Sequence, residues 1–243
     1  MQMHKEHDVM SEMTKRILMT ISGVLICGFS VGMFSFSAFG MDPFQVLAHG
    51  IWKLTPLEFG MLYMIINLLM LAAVFLADKR KIGLGTLINI FLFGYLVQFS
   101  TWLYETLIPQ PSLLVKALFL IFGIIIMCIG SALYFTGNLG VSTYDAVALI
   151  LSEKKVAKFQ YCRIVSDLIC TVVGGLLLYV KIGMGVFTML GIGTIVTAFF
   201  MGPLIAFFNH HIAMPLRYGK VKAAEMIAVE TKVGDTKKGR KIV

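Results

Sequence analysis

Six long apolar stretches dominate the chain and set what it can fold into. Crossing about 30 Å of hydrocarbon in a helix takes roughly 20 mostly apolar residues. Lipid offers no hydrogen-bond partner to the backbone, so a spanning segment is either a helix or a strand of a closed barrel. The alternating ten-residue pattern of barrel strands is not seen, and the sequence predicts an all-α, polytopic membrane protein. The predicted spans are residues 17–38, 58–77, 84–104, 113–136, 159–180 and 184–208.

The composition supports this prediction and excludes several other classes of protein. Of the 243 residues, 58% are hydrophobic and 14% are charged, whereas a soluble domain is about 45–50% apolar and about 25% charged. A soluble enzyme, a disordered chain and a disulfide-built secreted domain are therefore excluded. The four cysteines stand alone in apolar stretches without metal-ligand spacing, so we expect small buried side chains. No cofactor or metal site is predicted.

Lysine and arginine are unevenly distributed along the chain. When the predicted spans are threaded through a membrane, 18 of the 21 basic residues fall on one side, in both tails and near residues 79–81 and 154–163. Lys53, Lys116 and Lys181 fall on the other side. The positive-inside rule then places both termini in the cytoplasm. The net charge of +8 therefore indicates orientation rather than nucleic-acid binding, for which no folded basic module is visible.

A repeat with an offset of 100 residues divides the chain into two similar halves. Lys-Ile-Gly-Leu-Gly at residues 81–85 recurs as Lys-Ile-Gly-Met-Gly at residues 181–185. Each half holds three spans, so the second half is predicted to be inverted relative to the first. Inverted repeats with a site at their interface are a recurring transporter architecture. The predicted segments are a cytoplasmic tail (1–16), repeat one (17–108), a linker (109–112), repeat two (113–208) and a basic cytoplasmic tail (209–243).

Each half also carries a polar turn that begins at a glycine, Gly40 or Gly140. Asp42 can cap a helix that has proline at its first position, and Ser142 with Asp145 resembles a capping box. The helices predicted to follow, at about 43–53 and 143–153, are half a span long. Such a helix either lies on the membrane surface as an interfacial helix or dips into the membrane as a re-entrant one, with its N-terminus toward the protein interior.

Ionisable residues are rare inside the predicted spans. Asp167 lies in the fifth span with Arg163 four residues earlier, a spacing that lets the two pair on one helix face. A charge at this depth marks either a functional site or a structural ion pair near the interface. Asn67 holds the equivalent position in the first half. The candidate substrate-binding residues are Gly40, Asp42, Gln45, Asn67, Asn89, Ser142, Thr143, Asp145, Arg163 and Asp167.

Two motifs resemble the bacterial YczE-like membrane proteins, which are related to the YitT group. Gly-Met-Asp-Pro-Phe-Gln-Val at residues 40–46 is similar to a Gly-x-Gly-Pro-Trp-Asp-Val turn, and Gly-Leu-Gly-Thr-Leu-Ile-Asn at residues 83–89 to Gly-x-Gly-Thr-x-x-Asn. The resemblance covers about residues 15–208. Asp42, Phe44 and Gln45 depart from the family pattern. The resemblance implies a multi-pass protein of the bacterial plasma membrane without an assigned activity.

These observations favour a small-solute transporter that works by alternating access across the repeat interface. The alternative is a non-transporting membrane protein that binds and regulates a partner. A channel would need a filter, and an enzyme would need a nucleophile–base pair or a metal cluster; neither is visible. The expected partners are the lipid bilayer, an unknown small solute and, for the basic tail, anionic lipid of the inner leaflet. The sequence does not decide whether the chain forms a homo-oligomer.

Overall fold

The computed structural model describes residues 2–57 and 59–227, and the regular elements assigned there are helical. Six of the helices are long and apolar enough to cross a membrane. The predicted all-α, multi-pass membrane fold is confirmed. In chain order the α-helices are α1 (Gln2–Ser37), α2 (Pro43–Trp52), α3 (Phe59–Asp78), α4 (Leu84–Leu107), α5 (Leu113–Gly137), α6 (Thr143–Glu153), α7 (Phe159–Ile182), α8 (Ile192–Phe208) and α9 (Met214–Tyr218).

Three short segments of other helix types join these elements. Lys79–Lys81 and Gly183–Thr188 are 3₁₀ helices, and Asn209–Ala213 forms one turn of π-helix. The sixth long helix therefore begins at Ile192 and not at residue 184 as predicted. Gly183 takes a φ of +56° and ends α7, and the apolar residues after it form the 3₁₀ segment. Hydropathy alone does not distinguish that segment from the start of a span.

The antiparallel pair α1 and α5 forms the centre of the fold. Gly23 of α1 lies against α5, and a Cβ atom added at Gly23 would come within 2.7 Å of the Tyr134 amide nitrogen. Gly137, less than one turn beyond Tyr134 at the C-terminal end of α5, lies against Thr20 of α1. On another face of α1, Gly28 and Gly32 pack against α4. Small residues at these positions let the helix backbones approach closely, as in other membrane proteins.

The Gly140 turn is hydrogen-bonded to the start of α4. The Gly85 amide donates to the Leu139 carbonyl at 2.7 Å, and the Thr86 hydroxyl donates to the Val141 carbonyl at 2.8 Å. Gly140 has a φ of +99°, and a Cβ atom there would lie 2.6 Å from the Thr86 hydroxyl. We call this contact, between residues 83–86 and 139–141, the Gly140 latch.

The Gly40 turn makes the same contact with the start of α8. The Gly193 amide donates to the Phe39 carbonyl at 2.8 Å, and the Thr194 hydroxyl donates to the Met41 carbonyl at 2.8 Å. Gly40 has a φ of +125°. We call this contact, between residues 191–194 and 39–41, the Gly40 latch.

The two latches lie at opposite ends of the α1–α5 pair. In the Gly140 latch, Gly85 lies beside Thr20 of α1. In the Gly40 latch, Gly193 lies beside Leu120 of α5. Position 20 of α1 lies level with the end of α5, and position 34 with Gly123 near the start of α5. At 1.5 Å per residue, the two ends are separated by about 25 Å.

The latches also correct the alignment of the two halves. Gly-Leu-Gly-Thr at residues 83–86 makes the same hydrogen bonds to the Gly140 turn as Gly-Ile-Gly-Thr at residues 191–194 makes to the Gly40 turn. The offset of 100 residues holds for the turns but not for the last helix of each half. The 3₁₀ segment Gly183–Thr188 lies in the additional stretch of the second half. The contacts that residues 81–86 make with the Gly140 turn are thus made with the Gly40 turn by residues 189–194 and not by residues 181–185.

Candidate functional site

The two short helices α2 and α6 begin beside each other in the protein interior. The rings of Phe44 and Tyr144, one from the first turn of each helix, stack with centroids 4.9 Å apart and an interplanar angle of 23°. The residues that follow each helix, Lys53 and Lys154, are exposed. Both short helices thus run from a shared interior point toward the protein surface.

Side chains at both helix starts satisfy the free backbone amides. The Asp42 carboxylate accepts a hydrogen bond from the Phe44 amide at 3.0 Å, and Pro43 follows as the first helical residue. The Ser142 hydroxyl accepts from the Asp145 amide at 3.1 Å and donates to the Asp145 carboxylate at 2.5 Å. These caps determine where α2 and α6 begin, because the first amides of a helix have no partner within it.

Arg163 of α7 joins the start of α6 to the interior of α7. Its guanidinium forms ion pairs with Asp145 and with Asp167, the latter at 3.1 Å between Nε and Oδ2. Arg163 is 4% exposed and Asp167 is fully buried. The Tyr144 hydroxyl donates to Asp167 at 2.5 Å, and the guanidinium lies 4.7 Å from the Tyr144 ring centroid. A buried charge of this kind is stable because it is paired and hydrogen-bonded.

Helix α3 contributes Asn67 to the same region. The Thr143 hydroxyl donates to the Asn67 side-chain oxygen at 2.9 Å, and the Asn67 amide group donates to the Tyr63 carbonyl at 2.9 Å. Both Asn67 and Thr143 are buried. Four helices, two from each half of the chain, therefore meet here. We call the following residues the central cluster: Asp42, Asn67, Thr143, Tyr144, Asp145, Arg163 and Asp167.

The central cluster holds three carboxylates and one guanidinium. The guanidinium of Arg163 is paired with two of the carboxylates, Asp145 and Asp167, and the third, Asp42, caps α2. Among the described residues, no group of three His, Cys, Asp or Glu side chains is placed to hold a metal ion.

The structure brings most of the predicted site residues together. Asp42, Asn67, Thr143, Asp145, Arg163 and Asp167 lie in the cluster, and Ser142 caps the helix that carries two of them. Gly40 belongs to the Gly40 latch instead. Gln45 lies half-buried in the first turn of α2, where its carbonyl oxygen contacts a ring nitrogen of His49. Asn89 lies on α4, and no hydrogen bond joins it to the cluster within the described part of the chain.

The sequence analysis missed the aromatic residues of the site and the latch threonines. Tyr144 supplies both a hydroxyl and a ring to the cluster, and Phe44 lies edge-on to Tyr63 at 5.7 Å. Aromatic residues are common in apolar spans, so composition gave no sign of this role. Thr86 and Thr194 had a usable signal, because each closes a Gly-x-Gly-Thr motif at the start of a long helix.

Removing the Tyr144 hydroxyl tests how much the cluster contributes to stability. A hydrogen bond to a charged group contributes about 1.5–3 kcal/mol, and one to a neutral carbonyl about 0.5–1.5 kcal/mol. We expect Tyr144→Phe to lower the thermal midpoint of the purified protein more than Tyr134→Phe, which removes another buried hydroxyl, bonded to the Gly85 carbonyl at 2.8 Å. Equal midpoints for the two variants would contradict an ionised Asp167.

Comparison with known proteins identifies the family. A family model described as "Family of unknown function (DUF6198)" matches residues 14–210. An uncharacterised protein of Haemophilus influenzae is 28% identical over 140 residues, which are 58% of this chain and 62% of that protein, so the chain covers less than two thirds of that relative. No solved structure gives a significant match. Because the family model covers most of the chain, the protein belongs to the DUF6198 family of unknown function.

Proposed function

We propose that this protein moves a small polar solute across the bacterial plasma membrane by alternating access, with the central cluster as its binding site. The observation that carries the proposal is the meeting of two half-span helices, α2 and α6, at a buried polar cluster between the two halves of the chain. Discontinuous helices whose N-termini point at a site near the middle of the bilayer are a recurring feature of transporters. The same contacts favour the re-entrant over the interfacial placement of the short helices.

The chemistry of the cluster suits recognition of a polar solute. It offers donors on Tyr144, Thr143 and Arg163 and acceptors on Asn67 and three carboxylates. Apart from Asp42, which caps α2, these groups bond one another, so a solute would replace internal partners and not water. With such an exchange, the buried polar groups keep hydrogen-bond partners both when the solute is absent and when it is bound.

In this proposal the two latches are the gates. Each latch joins the turn of one half to the last helix of the other half, and the latches lie at opposite ends of the α1–α5 pair. Breaking the Gly140 latch would open a path to the cluster from the side of Lys81, which the basic residues predict to be cytoplasmic. Breaking the Gly40 latch would open the opposite side.

Thiol accessibility tests this mechanism without knowledge of the solute. Thr143→Cys places a nearly isosteric thiol in the cluster of a protein whose four native cysteines are replaced. A buried hydrogen bond contributes about 1 kcal/mol, which is about a fivefold change in an equilibrium. We expect Thr86→Val to raise modification by a membrane-impermeant thiol reagent about fivefold from the Lys81 side. Thr194→Val should do so from the opposite side.

The two threonines act as matched controls for each other, since both donate to a turn carbonyl at 2.8 Å. Ser100→Cys supplies a second control, because Ser100 is fully buried between α1 and α4, away from the cluster. It should stay unmodified in each background. If neither variant changes the reaction of the thiol introduced at position 143, or if both open the same side, alternating access through this site is wrong.

Several finer assignments belong to the same proposal. The inverted relation of the halves and the cytoplasmic position of both termini are supported by the paired latches and by the distribution of charge. The resemblance to the YczE-like group, and the absence of enzymatic activity, stay predictions. The proposed contact of the basic tail with anionic lipid concerns residues 209–243, of which residues 228–243 lie outside the described part.

A further inference from the structure

A cavity of about 830 Å³ lies beside the Gly140 latch and is separate from the central cluster. Its walls come from the 3₁₀ helix Lys79–Lys81, the turn after α5, the end of α6, the start of α7 and the π-helical turn Asn209–Ala213. None of the cluster residues lines it. The volume falls within the range of about 300–1,000 Å³ that is typical of small-molecule sites.

The charged side chains around this cavity are almost all basic. Glu153 is its one acidic lining residue among the described positions, and it is paired with Lys81. Arg217 is paired with Glu12 at 3.0 Å. Within residues 12–57, 61–186 and 189–227, the other basic lining residues have no carboxylate partner; they are Arg80, Lys155 and Lys158.

Neutral donors complete the lining. Asn138 stands at the end of α5 with a φ of +53°, and Asn209 begins the π-helical turn. Gln160 lines the cavity from the first turn of α7. Single π-helical turns occur often at functional sites. Amide groups beside unpaired lysine and arginine are a donor set that suits the oxygens of a phosphate group.

Basic residues on the cytoplasmic side of a membrane protein are expected from the positive-inside rule, and on a convex surface they would imply no ligand. Here three unpaired cations from two separate segments, Arg80 on one and Lys155 with Lys158 on the other, line one concavity. Like charges brought together without a counter-ion repel one another, and a bound anion removes that repulsion.

We propose that this cavity binds a phosphate-bearing anion through Arg80, Lys155 and Lys158. The phosphate belongs either to a free small molecule or to the headgroup of an anionic lipid. The site shares no residue with the central cluster, although Gly140 and Val141 of the Gly140 latch line it, and its test does not require that the protein transports a solute.

Binding of inorganic pyrophosphate tests the site directly. The full chain is held in nanodiscs of neutral phosphatidylcholine, and pyrophosphate is titrated by calorimetry. We expect saturable binding that weakens about tenfold in Lys155→Gln/Lys158→Gln, since this variant lacks two of the three unpaired cations of the cavity. The control Lys53→Gln/Lys181→Gln removes two exposed lysines outside the cavity and should bind as the unaltered protein does.

A second arm separates the two sources of phosphate. The protein is extracted from nanodiscs that contain phosphatidylglycerol, and the lipid retained is counted by native mass spectrometry. Retention that falls in the Lys155/Lys158 variant, without pyrophosphate binding, assigns the site to a lipid headgroup. The proposal is overturned if the Lys155/Lys158 variant matches the Lys53/Lys181 control in both arms, whatever the outcome of the thiol experiment.

Discussion

Replacing Arg163 with methionine is expected to lower the free energy of unfolding by about 3–5 kcal/mol, the usual cost of leaving a buried carboxylate without its partner. Asp167 is fully buried and Asp145 is mostly buried, and both are paired with this one guanidinium. A loss of that size would appear as a large drop in the thermal midpoint of the detergent-solubilised protein, together with poor recovery from the membrane.

Two further variants separate the buried charge from a general loss of packing. Arg163→Met combined with Asp145→Asn and Asp167→Asn removes the unpaired charges, and we expect it to recover most of the lost stability. Lys81→Met breaks the surface pair with Glu153, whose side chain is 56% exposed, and should cost no more than about 1 kcal/mol. A triple variant as unstable as Arg163→Met alone would show that the guanidinium acts through its size and not its charge.

Gly140→Ala is expected to destabilise the protein by at least the roughly 1–2 kcal/mol that a positive φ costs an L-residue. The added methyl group also comes within 2.5 Å of the Gly83 amide nitrogen and 2.6 Å of the Thr86 hydroxyl. Because the first of these atoms is backbone, relief requires the latch to separate. The thermal midpoint should fall, and the thiol introduced by Thr143→Cys in the accessibility experiment should react faster from the Lys81 side.

Gly94→Ala is the matched control for this substitution. Gly94 lies on the exposed face of α4, and no atom comes within 4 Å of an added Cβ there. Alanine favours a helix over glycine by up to about 1 kcal/mol, so this variant should be as stable as the original protein or slightly more stable. Equal losses at positions 94 and 140 would mean that the Gly140 latch contributes nothing specific.

The boundaries of the two short helices could be predicted because their causes are local. The predicted short helix at residues 143–153 matches α6, since Ser142 and Asp145 form their capping contacts within one turn. The ion pair between Arg163 and Asp167 follows in the same way from a spacing of four residues. Contacts between residues three or four positions apart in a helix can be predicted directly from the sequence.

The hydrogen-bond partners of the residues in the central cluster could not be predicted from the sequence. Tyr144 bonds to Asp167 across 23 positions, and Thr143 bonds to Asn67 across 76. Both contacts depend on how the helices pack, and many packings satisfy the same hydropathy pattern. The misplaced register of the last helix had a related cause, because the apolar 3₁₀ segment Gly183–Thr188 resembles a span in composition.

The two latches differ in when they can form during synthesis. In the Gly140 latch, residues 83–86 are made before the turn that binds them, so closure can follow insertion of the turn directly. In the Gly40 latch, the partner of Met41 is Thr194, which lies 153 residues later. At 5–20 residues per second this delay is about 8–30 seconds. Throughout this delay the Gly40 turn lacks the hydrogen-bond partners that Gly193 and Thr194 later supply, so a nascent chain stalled before Thr194 is expected to hold these backbone groups without their final partners.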